Sequence, residues 1–412
     1  MPTDAATVLA TTGLVAVAAV AAAAAFRRTR VPDVLLLLLL GILAGPVLHL
    51  APAALFRAIA PVASIAAVLV ILFDGGLDVR LRELRRGAGP AVTVALAAFT
   101  GTTLLAGLAA VALLGLPPPL AALLGMCFGG AGVAVVLPLI QRMGVSRGAQ
   151  AHVSLETAFA DVLLIVGVFT LAAALSDPAS SGWLLALRVG ASFLVAGAVG
   201  VLVGGLWVRL LDRPWSKGHE SLATVGALFL AYAAAEALHG AGPLAVLAFA
   251  LVLGNSRHAA TFTRTALGTA GPPTFHRQAA LAIRAFVFVG LGATLDLRVF
   301  VQPRVLAFAA VACAAVIASR LVAVRLGARR VLKSRWDRTS VTLMFPLGLP
   351  TAAASLIPST RFGLAGTEGF PQVAAAAILL TIVVSSLLVA AVLQPGLRRR
   401  IEGAGPAAPQ DV

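Results

Sequence analysis

The chain has 412 residues, 60% hydrophobic and only 11% charged, with a mean hydropathy of +1.01. No soluble domain of this length carries so apolar a composition, so the chain reads as a polytopic helical membrane protein without a soluble domain. Its formal net charge of +15 would suit a nucleic-acid partner, but the placement of the charges assigns it to membrane topology instead. Two cysteines, Cys127 and Cys313, lie in apolar runs and imply neither a disulfide framework nor a Cys-rich metal site. Arginine far outnumbers lysine, a composition that points to a GC-rich bacterial genome.

The N-terminus is apolar from Ala5 to Phe26, with Asp4 before it and Arg27, Arg28 and Arg30 after it. A signal peptide carries its positive charge ahead of its apolar core, so this segment reads as a retained first span with its N-terminus outside. Apolar runs and Pro, Gly or charge breaks place about 13 spans in all. They cover 5–25, 32–50, 59–77, 89–114, 118–141, 151–175, 182–211, 219–239, 242–256, 276–300, 303–327, 338–358 and 370–395. The 31 Lys and Arg concentrate in the odd-numbered connections and the C-terminal tail. Only Arg57, Arg298, Arg304 and Arg361 fall on the other side, and Arg188, Arg284 and Arg320 lie within spans. By the positive-inside rule the odd connections and the C-terminus are cytoplasmic. The tail after Arg400 is too short to fold alone, so no regulatory domain is expected.

Two segments look alike. Gly76-Leu77-Asp78-Val79-Arg80 matches Thr294-Leu295-Asp296-Leu297-Arg298 at an offset of 218 residues. The first ends the third span and exits inside; the second ends the tenth and exits outside, the pattern of inverted repeats. The same offset carries Gly130 in GMCFGGAGVAVVLPL onto Gly348 in FPLGLP, between Pro346 and Pro350. Glycine weakens a helix and proline removes a backbone donor, so the fifth and twelfth spans should both break near the midplane. Broken helices survive in a membrane only where they line a cavity or are buried in protein, and a matched pair points to a transporter's binding site. The expected organisation is a first repeat over 1–180, a linker helix over 181–214, a second repeat over 215–400 and a short tail over 401–412.

Asp161 lies about ten residues into the sixth span, roughly 15 Å deep. Ser154 and Thr157, seven and four residues earlier, share its face. Burial disfavours the bare charge, so Asp161 can hold a proton or a cation in competition. Glu156 is rotated by about 140° from it and suits an ion pair as well as a direct role. His152 reads as a boundary residue. Arg284, about one turn inside the tenth span, is a candidate partner for Asp161 or Glu156. Arg320 suits a structural pair, Asp74 in LFDGG suits pairing with nearby arginines, and Glu236 has no partner legible in sequence. No Walker motif, HExxH or nucleophile elbow is present, which argues against ATP-driven transport and proteolysis.

These motifs together resemble the monovalent cation:proton antiporter superfamily, the sodium/proton exchangers, over nearly the whole chain. Glu156–Asp161 (ETAFAD) is similar to the family's E-S-L-L-N-D. LFDGGLDVRLREL is similar to LFEGGLNL, IRAFVFVGLGATLDL to the family's tenth-span motif, FPLGLPTAAASL to P-R-G-L-A-A-A, and VAVVLPLIQRMGV to the second half of its broken fifth helix. The sequence departs from the pattern at Ala160, where the family has Asn or Asp, at Ala131-Gly132-Val133, where it has Thr-Asp-Pro or Thr-Ser-Pro, and at Leu347, where it has Arg. The resemblance implies antiport of H⁺ against Na⁺ or K⁺ at Asp161, with no cofactor, in the inner membrane, by a homodimer moving as an elevator. With those side chains missing, peptide oxygens around Gly130, Ala131 and Gly132 and around Gly348 and Leu349 would complete the site with Ser154 and Thr157. One central carboxylate implies electroneutral exchange. A carrier of another solute, such as an organic anion, and a non-transporting scaffold or sensor are the competing readings.

Overall fold

The computed structural model describes residues 5–29, 32–50, 53–79, 89–176, 182–213, 219–256, 275–329 and 331–402. Among these every regular element is helical. The basic connection Arg80–Arg86, the 181 boundary of the predicted linker and the tail beyond 402 lie outside the described residues.

In chain order the helices are α1 (Ala5–Thr29), α2 (Asp33–Ile42), α3 (Ala53–Asp78), α4 (Gly89–Ala109), α5 (Pro118–Cys127), α6 (Val133–Arg142), α7 (Arg147–Ser176) and α8 (Gly182–Leu210). They continue as α9 (Glu220–Ala237), α10 (Gly242–Gly254), α11 (Phe275–Ala293), α12 (Pro303–Ala323), α13 (Arg335–Thr342), α14 (Leu349–Thr360), α15 (Phe370–Val392) and α16 (Pro395–Glu402). Single π-helical turns extend α2, α4 and α12. Seven helices among the described residues are long and apolar enough to cross a membrane, and four shorter ones are similarly apolar. Their outer faces stay apolar: Leu9 on α1 and Leu194 on α8 are 72% and 77% exposed. Such surface belongs against lipid or another chain.

Both predicted breaks are present. Helix α5 stops at Cys127 and α6 restarts at Val133; the glycines between them give a helix nothing to pack. Helix α13 stops at Thr342 and α14 restarts at Leu349, because Pro346 cannot donate into a helical ladder, while Pro350 suits a first turn. Each of the four pieces is about half a bilayer long, α13 with 8 residues being the shortest. The tenth predicted span is shorter than expected. Helix α11 ends at Ala293, and Leu297–Val301 forms a 3₁₀ turn, held by Asp296 Oδ1 accepting from the Arg298 N–H at 2.9 Å. The segment Thr294–Arg298 is therefore a connection, not the end of a span.

Helices α4 and α5 pack on α7, α12 packs on α4 and α15, and α14 inserts between α3, α7 and α15. Helices α8, α9 and α10 form a second group, joined to the first through α3 and α10. Helix α11 lies against α1, α2 and α3. Its approach to α2 is backbone to backbone: a Cβ at Gly41 would collide with the Val289 carbonyl, and one at Gly292 with that of Leu38.

Candidate ion site at the crossing of two broken helices

The two breaks cross at Gly132 and Gly348. A Cβ on Gly132 would lie 2.7 Å from the Gly348 Cα, and one on Gly348 would lie 2.8 Å from the Gly132 Cα. Only glycine lets the strands touch here. The Gly132 N–H donates to the Pro346 carbonyl at 3.1 Å, one break satisfying the other. Helix α15 satisfies more of the second break: the Leu347 N–H donates to Thr381 Oγ1 at 3.2 Å, and Ser385 Oγ donates to the Leu343 carbonyl at 2.9 Å. Thr381 and Ser385 were visible in sequence only as polar residues in an apolar run. Gly132 and Gly348 are the N-caps of α6 and α14, so two positive helix ends meet at this point.

Asp161 closes the crossing from α7. The ideal Cβ of Gly130 would sit 2.9 Å from Asp161 Oδ1, so the carboxylate rests against the first break. The backbone amide of Ala131 faces it. Asp161 is 4% exposed, and its Oδ1 has no hydrogen-bond partner among the described residues. Such an atom normally finds a partner; here it is pressed against the first break without one. A cavity of about 280 Å³ is lined by Asp161, Ser154, Gly132 and Leu349, with Asp74 from α3 and Arg284 from α11. From α7 the lining residues are Ser154, Ala158 and Asp161, a spacing of one helical face. A larger cavity of about 630 Å³ lies further along α7, between Ile165–Ala173 and α8. The two cavities lie toward opposite ends of α7, and Asp161 lines the first.

The other predicted residues divide. Thr157 is buried, but its hydroxyl donates to the Val153 and Ser154 carbonyls at 2.8 and 3.1 Å. It is spent on its own helix and does not line the cavity, a correction to its expected place beside Asp161. Glu156 faces away and forms a two-pronged pair with Arg320, Nη1–Oε1 at 2.6 Å and Nη2–Oε2 at 3.1 Å. Arg320 Nε donates to the Val341 carbonyl at 2.9 Å, so this pair ties α7, α12 and α13 together. Arg284 pairs with neither Asp161 nor Glu156. Its Nη2 lies 3.3 Å from Oδ2 of Asp33, in the first turn of α2, a residue that sequence reasoning missed because nothing local marks it. His152 is buried, with Nε2 unpartnered among the described residues. Glu236 pairs with Arg361 and accepts from the Gly242 N–H at 3.2 Å, clamping the connection after α9 to the end of α14.

The family described as "Sodium/hydrogen exchanger, transmembrane" matches residues 15–398. The chain belongs to the sodium/hydrogen exchanger family. Members of this family are transporters, not enzymes. Similar curated proteins include the K(+)/H(+) antiporter NhaP of Alkalimonas amylolytica, 28% identical over 46% of this chain and 34% of that one. The Na(+)/H(+) antiporter 1 of Methanocaldococcus jannaschii is 26% identical over 66% of this chain and 64% of that one. The matched region thus spans from about a third to just under two thirds of these relatives. The solved structure of the sodium proton antiporter MjNhaP1 from the same archaeon, at pH 8, superposes with a TM-score of 0.74 at 23% identity, over 96% of this chain and 98% of that one. The fold is that of MjNhaP1.

Proposed function

We propose that this member of the family exchanges Na⁺ or K⁺ for H⁺ across the membrane, with Asp161 as the group that both ions share. The observation that carries the reading is the Asp161 carboxylate, buried against a helix break with Oδ1 unpartnered among the described residues, on a residue that lines a cavity. A bare carboxylate so placed is costly, and either a proton or a cation relieves that cost. A site that moves only when loaded is an exchanger, and one carboxylate makes the exchange one for one. Peptide oxygens of the break around Gly130 to Gly132 and Ser154 Oγ supply the remaining ligands that a hard monovalent cation needs.

Cavities toward the two ends of α7, one of them reaching Asp161, support an alternating-access cycle. The contact of Gly132 with Gly348 supports reading 1–180 and 215–400 as inverted repeats around the linker 181–214. In this reading about 13 crossings place the N-terminus outside and the C-terminus in the cytoplasm of a bacterial inner membrane. The exposed apolar faces of α1 and α8 would carry a homodimer. The anion-carrier alternative gains from the two positive helix ends at the crossing, but Asp161 stands in the position an anion would take.

The test is purified protein in liposomes that hold a pH-sensitive dye. A pH gradient is imposed, then Na⁺, K⁺ or Li⁺ is added to wild type and to Asp161→Asn. Cation-dependent collapse that disappears in the variant is expected, and the cation dependence should weaken as pH falls, because protons then compete for the site. Absence of collapse with every cation, in protein shown to be folded, would overturn the proposal.

A further inference from the structure

Three arginines line one cavity beyond the end of α12, with no acidic residue among the lining. Helix α12 finishes in the π-helical turn Val324–Ala328. Arg325 in that turn and Arg329 just after it, with Arg338 and Thr339 of α13, line a cavity of about 270 Å³ whose apolar wall includes Leu321 and Val324. Arg338 is oriented by the main chain: its Nη1 donates to the Leu332 and Lys333 carbonyls at 3.0 and 3.1 Å. Among the described residues none of the three arginines has an ion-pair partner. The neighbouring acid, Asp337, is engaged elsewhere, accepting from the Ser146 N–H at 3.1 Å and its hydroxyl at 2.7 Å. Like charges held together repel, and an anion with several oxygens would relieve that repulsion while matching the planar donor forks.

The position selects the anion. Pro303–Ala328 is long and apolar enough to cross the membrane, so its last turn stands at headgroup depth. Immediately beside the cluster Val322 and Leu326 are 51% and 70% exposed, an apolar track leading away from three positive charges. Basic pockets at the ends of spans are suited to phospholipid headgroups.

We propose that this cavity is a binding site for an anionic phospholipid, with the phosphate on Arg325, Arg329 and Arg338 and an acyl chain along Val322 and Leu326. The site would do more than anchor. Arg338 and Thr339 belong to α13, the first half of the second broken helix, so a bound headgroup ties that half to the end of α12. Helix α13 leads directly to the break that meets Gly132. Anionic lipid would therefore hold the crossing in register. The inference rests on the charge cluster and not on which ion is carried.

The experiment is native mass spectrometry of the purified full chain, paired with thermal unfolding, against three probes: phosphatidylglycerol, phosphatidylcholine with the same acyl chains, and inorganic phosphate. Wild type should retain phosphatidylglycerol over phosphatidylcholine and be stabilised by it. The double variant Arg325→Gln/Arg329→Gln should lose retention roughly 25-fold, since each basic residue at an anionic lipid is worth about a factor of five. Arg304→Gln, at the opposite end of α12, should leave retention unchanged. Arg325→Lys/Arg329→Lys, which keeps charge but loses the fork, should recover part of it and guards against a folding defect in the glutamine variant. Equal retention by wild type and the glutamine variant would overturn the proposal. So would stabilisation by inorganic phosphate alone with no further effect of lipid, which would make this a free-anion site, and so would binding of none of the three probes.

Discussion

Glu156 and Arg320 meet as a fully buried two-pronged ion pair, 2.6 and 3.1 Å between their atoms, with Glu156 five positions before Asp161 on α7 yet turned to the opposite side. Side-chain exposure is 1% for Glu156 and 4% for Arg320. A buried pair of this kind adds little net stability over an apolar pair, but breaking it leaves a charge without compensation. Arg320→Met should therefore destabilise the protein by about 3–5 kcal/mol, while Glu156→Gln/Arg320→Met should cost clearly less. Thermal unfolding of both variants in detergent decides this. Equal losses would mean that the pair's contribution lies in packing.

Ser154 and Thr157 separate the two hydroxyls of α7 by their partners. Ser154 lines the cavity with Asp161, whereas the Thr157 hydroxyl is bonded within its own helix. Ser154→Ala should raise the apparent KM for the cation roughly tenfold, the worth of one lost oxygen ligand. Thr157→Val should change it less than about twofold. Transport titrations in liposomes distinguish the two, and a larger effect at Thr157 would mean that the hydroxyl turns toward the ion during the cycle.

Gly132 and Gly348 tolerate no side chain, since a Cβ on either would stand 2.7 or 2.8 Å from the other's backbone. Gly132→Ala or Gly348→Ala should cost about 1–3 kcal/mol of stability through overpacking. Either should also lower transport at least tenfold by parting the breaks. Gly89→Ala, where the added carbon meets nothing within 4 Å, is the control. Unchanged transport in the Gly132 variant would show that the crossing has room the structure does not display.

Arg284 and Asp33 hold each other at the cavity wall, with side chains 21% and 12% exposed. Removing the acid releases a positive charge beside the cation's route. Asp33→Asn should therefore weaken the apparent cation affinity roughly three- to tenfold, and Arg284→Gln should strengthen it by a similar factor, both effects shrinking at high salt. Titrations at two ionic strengths test the sign. Weakening by both substitutions would mean that the pair acts through structure alone.

The course of the helices was legible because lipid imposes a strict rule: about 20 apolar residues per crossing, with every backbone group satisfied internally. That rule marked the two Gly/Pro segments as breaks, and helix periodicity alone put Ser154 on the face of Asp161 and Glu156 off it. The partners were not legible. Asp33 meets Arg284, and Glu156 meets Arg320, across long intervals of sequence that carry no local signal. Thr157 failed as a cavity residue because periodicity fixes where a side chain leaves the helix, while its rotamer decides which oxygen its hydroxyl meets.

What the sequence determined by itself was therefore everything with a local cause: apolar length for the spans, glycine and proline for the interruptions, and a charge at mid-helix for the candidate site. What only the tertiary structure decided was which of those features touch. The approach of Gly132 to Gly348, and the absence among the described residues of a partner for Asp161 Oδ1 and of an ion pair for the arginines beyond α12, depend on how helices distant in sequence pack, and packing is a property of shape matched in three dimensions.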